Sequence, residues 1–282
     1  MDRGEKMKII ADTPTLYSPQ DGKKLGVTII PACSIIDGEV YRDFEDISTE
    51  EFLTKIAEGA VPTTSQPAIG DILEIFEEGE EEILFLPIGD GLSGTYQNAM
   101  GAKNCIEKNG HIHILDTKTL AGIQRYLVEK ALELKGKGFS IEKIKEELKQ
   151  RIETSVSFVI PEDFDFLKRS GRLTPIAAKI ATMIKIVPVL TQTEDKKGIT
   201  LFTVKRTKKK ALESLIEHLK TIGVNEEYFI SICHAGVVEE AQAVLFKLKE
   251  HFKETAMEVF QLAPALITHG GPGCVLIQAI HK

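Results

Sequence analysis

Between and after four short apolar runs in the first half of the chain come stretches of helical periodicity, and few folds accommodate that alternation. Lys8–Ala11, Val27–Ile35, Ile83–Ile88 and His111–Leu115 read as strands. Ser48-Thr49-Glu50-Glu51 is a capping box that opens a helix ending near Gly59. Ile69, Ile72, Leu73 and Phe76 recur at helical spacing until Gly79, and Thr119–Lys135 and Ile141–Ile152 are amphipathic. Strands separated by helices in this way form a mostly parallel sheet covered on both faces. Ligands of such sheets bind beyond the carboxyl ends of the strands.

The texture changes near Ser155. Val156–Ile160, Ile186–Thr191, Ile199–Val204, Tyr228–Cys233, Met257–Gln261 and Val275–Ile280 read as strands, with helices over Lys208–Lys220 and Val238–His251. The short polar turn from Thr191 to Gly198 predicts an antiparallel hairpin. No Gly/Ser/Pro-rich linker marks a boundary, so the pattern change alone divides the chain into domains at 7–154 and 155–282. A length of 282 residues suits two domains.

Two stretches place small hydroxyl residues where a helix is about to begin. Thr63-Thr64-Ser65-Gln66-Pro67 precedes the periodic segment from Ile69, and Ser93-Gly94-Thr95-Tyr96-Gln97 follows the Ile83–Ile88 strand and a Gly89-Asp90-Gly91 loop. A helix start leaves N–H groups unpaired and carries partial positive charge, which suits a carboxylate or phosphate. The simpler reading makes Ser65 and Ser93 ordinary N-caps. His269 lies between the apolar Leu262–Ile267 and a Gly270-Gly271-Pro272-Gly273 loop, where an imidazole can donate a hydrogen bond to a carboxylate. Arg172 follows Lys168-Arg169-Ser170-Gly171, and Arg206 sits in the basic run Lys205–Lys210; either cluster reads as a docking patch or as a solvated helix start. Pro175–Ile184 is an apolar helix with small residues interspersed, fit for a long apolar ligand or for plain core.

Other chemistries have less support. The net charge of −7 argues against a general nucleic-acid binder. No apolar run reaches membrane-spanning length, and no signal-peptide core follows the charged Met1–Lys6. Cys33, Cys105, Cys233 and Cys274 are widely spaced beside apolar stretches, which predicts buried reduced thiols and a cytoplasmic location. His111 and His113 share a strand face but have no evident third metal ligand, so no metal is expected. No phosphate loop or dinucleotide fingerprint is present.

Taken together and in order, Ile9-Ile10-Ala11-Asp12-Thr13, Thr64-Ser65-Gln66-Pro67, Ser93-Gly94-Thr95-Tyr96-Gln97, Ser170-Gly171-Arg172-Leu173, Lys205–Ala211 and His269–Gly273 resemble the DegV family of fatty-acid-binding proteins across nearly the whole chain. The resemblance implies an α/β fold in two domains: a three-layer α/β/α N-terminal domain with a mostly parallel sheet, and a two-layer C-terminal domain with a mixed six-stranded sheet that contributes the acyl tunnel and the histidine loop. It implies that Thr64, Ser93, Gly94 and His269 hold the carboxylate of a bound long-chain fatty acid. Arg172 and Arg206 would face a partner. That partner is a separate ATP-dependent kinase subunit of the dihydroxyacetone-kinase type, which makes an acyl phosphate for phospholipid synthesis. The chain itself would be a lipid-binding subunit, not an enzyme, and would need no cofactor. Two positions depart from the pattern: Ala68 replaces the final serine of Thr-Ser-Gln-Pro-Ser, and Thr13 replaces the serine of Asp-Ser.

A serine hydrolase using Ser93 and His269 is the alternative, because Ser93 stands between a strand and a helix. Gly91-Leu92-Ser93-Gly94-Thr95 lacks the second elbow glycine, and the His-Gly-Gly stretch follows the serine instead of preceding it.

Overall fold

Strand β1 (Met7–Asp12) buries five of its six side chains, the mark of a parallel strand covered on both faces. This computed structural model describes residues 7–79, 81–180 and 185–282. Two units emerge, the first running to Glu153 with Ala263–Ala265 and the second taking Thr154–Leu262 and Leu266–Lys282. After β1 the first unit continues through α1 (Pro19–Leu25), β2 (Val27–Ile30), β3 (Cys33–Ile36), β4 (Glu39–Arg42), α2 (Thr49–Ala57) and β5 (Thr63–Ser65). Next come α3 (Ile69–Glu77), β6 (Glu82–Leu86), α4 (Thr95–Asn104), β7 (Ile112–Ile114), α5 (Ala121–Gly136) and α6 (Ile141–Thr154).

The main sheet of this unit is parallel, in the order β2-β1-β6-β7. On one face Ile10, Ile83, Phe85 and Ile112 pack with Ile72 and Phe76 of α3 and Ala99 and Ala102 of α4. Ile9 and Leu84 alternate to the opposite face, and α5 packs on β1 and β6. A small antiparallel sheet, β4-β3-β5, stands beside this arrangement.

Two expectations need correction here. The run Val27–Ile35 is two strands in two sheets, because Pro31 has no N–H for a ladder and the Ala32 amide donates instead to Thr13 Oγ1 at 2.9 Å. Thr63–Ser65 is strand β5, paired with β3, and does not open a helix; α3 begins at Ile69 with Ala68 as an N-cap that makes no side-chain hydrogen bond. The thiols also divide: Cys233 and Cys274 are buried, Cys33 is half-buried, and Cys105 is exposed where α4 ends.

The second unit holds β8 (Val156–Ile160), α7 (Phe164–Ser170), α8 (Pro175–Ile180), β9 (Val187–Gln192), β10 (Ile199–Lys205) and α9 (Lys208–Thr221). It continues with β11 (Tyr228–His234), α10 (Val238–His251), β12 (Ala256–Gln261), α11 (Pro264–Gly270) and β13 (Val275–His281). The strands form one mixed sheet, β10-β9-β8-β13-β11-β12, with β11 and β12 parallel and the other neighbours antiparallel. The β9–β10 pair is the expected hairpin. Phe158, Ile230, Ile232 and Ile277 meet Leu215 and Leu219 of α9 and Leu248 of α10 on one face. On the other, Leu190 packs with Leu167 of α7 and Ala177 of α8. Ala181–Ile184, the rest of the apolar helix expected to line an acyl tunnel, lie outside the described residues.

The missing cap at α3 gives a direct test. Ala68 already has the extended backbone of an N-cap (φ −61°, ψ 138°) and is exposed. Ala68→Ser restores an oxygen for an amide of the first turn, and is expected to raise stability by about 0.5–2 kcal/mol in urea unfolding.

Candidate functional site

The order β2-β1-β6-β7 sends the chain to one side of β1 first and to its other side later, so the loops leaving the carboxyl ends of β1 and β6 diverge. Asp12 ends β1, and the loop after β6 carries Ile88 and Ser93 into α4. The fully buried Asp12 carboxylate accepts the Ile88 amide, 3.1 Å from Oδ1 and 3.3 Å from Oδ2, and the Gln124 Nε2 amide at 2.6 Å. The Thr95 side chain nearby favours its ionised form, though less than Gln124 and Ile88 do. Thr95 Oγ1 in turn lies 3.0 Å from Ser93 Oγ, which accepts the Thr95 amide at 3.3 Å. Ser93 is therefore fixed on the rim of the switch point by its contacts with Thr95.

Gly94 is the N-cap of α4 and makes no side-chain cap bond; the first amide of the helix, that of Thr95, is taken by Ser93 Oγ instead. A Cβ at Gly94 would stand 2.8 Å from Gln66 Oε1. Only glycine lets the Gln66 side chain come this close, and Asn98 Nδ2 of α4 donates to Pro67 O at 3.3 Å. The two hydroxyl stretches thus adjoin. Thr64, half-buried, sits mid-strand in β5 opposite Ser34.

A second carboxylate shares this region. Asp43 accepts from Thr13 Oγ1 and Ser34 Oγ, each at 3.3 Å, and from the Ala265 amide at 3.2 Å. Burial pushes both Asp12 and Asp43 up to about 7, against the opposing pull of their hydrogen bonds, and the negative charge of Asp12 raises Asp43 further. Sequence reasoning missed Asp43 and Thr95 and gave Asp12 no role. An aspartate at the carboxyl end of an apolar strand is a usable signal; Asp43, on a polar stretch after β4, gives none.

In the second unit His269 occupies the last turn of α11, a helix where a loop was expected. A helix C-terminus favours imidazolium. Here desolvation wins, with the Arg172 charge added, and His269 falls to about 4. It is a neutral imidazole at pH 7. Gly271, at φ +79°, would put a Cβ 2.8 Å from Phe166 Cδ2, so glycine lets this loop lie against α7. Arg172 follows α7, half-buried, its backbone amide donating to Ser170 Oγ at 3.1 Å and its guanidinium to Ser170 O. Desolvation lowers its pKa.

Arg206 is elsewhere. The Arg172 carbonyl accepts from Ile199, the first residue of β10, whereas Arg206 lies exposed just past Lys205, the last. The length of that strand, roughly 20 Å, separates their backbones. Nearby, Lys208 is paired with Glu162 at 2.6 Å and Glu240 at 2.8 Å, so part of the basic run is already neutralised.

The family described as "Uncharacterised protein, DegV family" matches residues 6–282. The chain belongs to the DegV family. A DegV domain-containing protein of Staphylococcus aureus is 30% identical over 276 residues, covering 95% of each chain. Among solved structures, the fatty acid binding DegV family protein of Streptococcus agalactiae superposes with a TM-score of 0.87 at 28% identity, covering 98% of this chain and 99% of that one. DegV of Bacillus subtilis, described as a fatty acid binding protein, gives a TM-score of 0.85 at 26% identity, with coverage of 98% and 99%.

Within this DegV chain the hydrolase reading weakens. Ser93 lacks the positive φ of a strained nucleophile elbow, its hydroxyl is engaged with Thr95, and an imidazole near 4 is a poor base at neutral pH. The histidine strand does acquire further candidate ligands: atoms of Glu82, His113 and Glu142 lie within 4.8 Å of one another. Lys145 Nζ stands 3.2 Å from His113 Nδ1, and its charge lowers the pKa of that imidazole after burial has done so.

The His269 environment is testable by NMR. The imidazole is expected to titrate with a midpoint near 4, and Arg172→Gln should move that midpoint upward, because it removes a positive charge that opposes imidazolium. An unchanged midpoint would separate the two residues.

Proposed function

We propose that this chain binds a long-chain fatty acid and presents its carboxylate to a separate ATP-dependent kinase subunit, which forms the acyl phosphate. The observation that carries the reading is the α4 start: a helix N-terminus with a glycine at its N-cap and a hydroxyl held at its rim, beside the Gln66 stretch. Proteins similar to this one over nearly their whole length are described as fatty-acid binding in Bacillus subtilis, Thermus thermophilus and Streptococcus agalactiae. In this reading Thr64, Ser93, the Gly94 amide and His269 donate to the carboxylate. The neutral imidazole keeps an N–H for that purpose, and the Arg172 charge balances the anion.

Each buried methylene of the acyl chain contributes about 0.8 kcal/mol, so the polar groups govern the orientation of the head group more than total affinity. Arg206, exposed and distant along β10, serves the kinase-facing surface. No nucleotide-binding loop is present in the sequence, so phosphoryl transfer belongs to the partner and no cofactor is needed here. Among the described residues no helix is long and apolar enough to cross a membrane. With unpaired cysteines, that fits a cytoplasmic carrier.

Purified protein extracted with organic solvent is expected to release a long-chain fatty acid in mass spectrometry, and the delipidated chain to rebind one saturably. Absence of both would end this reading. Thr64→Val, Ser93→Ala and His269→Ala should each weaken binding by about 0.5–3 kcal/mol while leaving the fold intact by circular dichroism.

Presentation is tested separately. Arg206→Ala is expected to leave lipid content unchanged and to slow acyl-phosphate formation with the kinase subunit, and the wild-type rate should fall as salt rises. Loss of lipid in step with loss of turnover would move Arg206 into the binding site.

A further inference from the structure

Helix α11 (Pro264–Gly270) begins without a cap of its own. Ala263 precedes it and has no side-chain acceptor, and Pro264 has no N–H, so the first amide that needs a partner is that of Ala265. All three residues are buried, and an unmet N–H there costs what a lost buried hydrogen bond costs. The partner comes from 222 residues away: Asp43 Oδ2 accepts the Ala265 amide at 3.2 Å. Asp43 and Ala265 both belong to the first unit.

Asp43 is fully buried and is itself tied down. Its amide donates to Ala32 O at 2.9 Å, while Thr13 Oγ1 donates to its Oδ2 and Ser34 Oγ to its Oδ1, each at 3.3 Å. Phe44, next in the chain, has φ +66°, a left-handed conformation that a bulky side chain rarely adopts. Strain of that kind persists only where the surroundings over-determine the backbone, as they do around Asp43. His269 lies four residues beyond Ala265, one turn along the same face of α11. The far end of the helix is closely packed as well, since a Cβ at Gly270 would lie 2.7 Å from Cys274 Sγ. Held at its start and crowded at its end, this short helix leaves its side chains little freedom of direction.

We propose that Asp43 is a positioning residue: by accepting the Ala265 amide it sets the rotation of α11, and with it the direction in which His269 presents its imidazole N–H to a bound carboxylate. This rests on the fatty-acid reading above and adds to it a residue that acts through another. The action is through position and not through charge. Burial and the Arg172 charge account for the lowered pKa of His269, and Asp43 is not among the charges acting on it. What the Ala265 amide requires is an oxygen, and an uncharged one serves as well.

The test uses the delipidated full chain with laurate, read by calorimetry, and the same samples by urea unfolding and NMR. Asp43→Ala is expected to weaken laurate binding about three- to thirtyfold, close to the effect of His269→Ala. Asp43→Ala combined with His269→Ala should bind no more weakly than His269→Ala alone, because the positioned donor is already gone. A merely structural role for Asp43 would make the two losses add. Asp43→Asn keeps an oxygen for Ala265 and should retain wild-type affinity. The His269 midpoint, near 4 in the wild type, should rise in Asp43→Ala and stay in Asp43→Asn, since an imidazole no longer held in place regains water. If Asp43→Ala does not fold, Asp43→Ser carries the same expectations: its hydroxyl can still bond Thr13 or Ser34 but is one atom too short for Ala265. A wild type that binds no laurate overturns the fatty-acid reading and this one with it. Laurate binding that is unchanged in Asp43→Ala, losses that add, or an Asp43→Asn as weak as Asp43→Ala overturns the positioning role alone.

Discussion

The Asp12 carboxylate, wholly out of solvent, receives the Ile88 amide from the loop after β6 and the Gln124 side chain from α5. Three elements of the first unit therefore meet at one acidic group. Burial of that kind is costly, and the cost has a pH signature. Burial raises Asp12 and Asp43 from the ordinary carboxylate range, 3.8, to about 7 in the fold. Below the lower value both states hold their protons, and the folded form gains all it can from neutral carboxyls. Between the two values the fold binds protons that the unfolded chain has released, so stability declines as pH rises and levels off above about 7.

Topology explains why the acids and hydroxyls meet. Parallel strands β1 and β6 are neighbours, yet their outgoing loops run to opposite sides, which opens the carboxyl edge between them. Asp12 closes one strand, and the loop from the other brings Ser93 and the α4 start. The small sheet then delivers Thr64 by pairing β5 with β3, and Gly94 removes the side chain that would hold Gln66 away. Backbone pairing places Thr64, while Ser93 is held by the Thr95 side chain and amide.

Sequence patterns exposed much of this and hid the rest for identifiable reasons. Ile83–Ile88 and Val275–Ile280 were legible because strands buried on both faces are continuously apolar. Val27–Ile35 misled because apolarity continues across the point where Pro31 and Ala32 leave the sheet. Thr63–Ser65 carries no strand signal at all, being three polar residues whose conformation is imposed by β3. At that site Ser93, Gly94 and Thr64 were readable as a motif. The buried Asp12 and its bond to Gln124 were not, since they depend on a contact across 112 residues of sequence and on burial that only the assembled sheet creates.

The two arginines, paired in the sequence motif, are distinguished by solvent. Arg172 is half-buried, its pKa lowered by desolvation, and its charge acts on His269 strongly enough to help keep that imidazole neutral. Arg206 lies past the far end of β10, exposed, with Lys208 nearby tied to Glu162 and Glu240. Screening by salt barely reaches the first charge and readily reaches the second. In the proposed reading, the two arginines would therefore serve different ends, one near the head group and one at the partner surface.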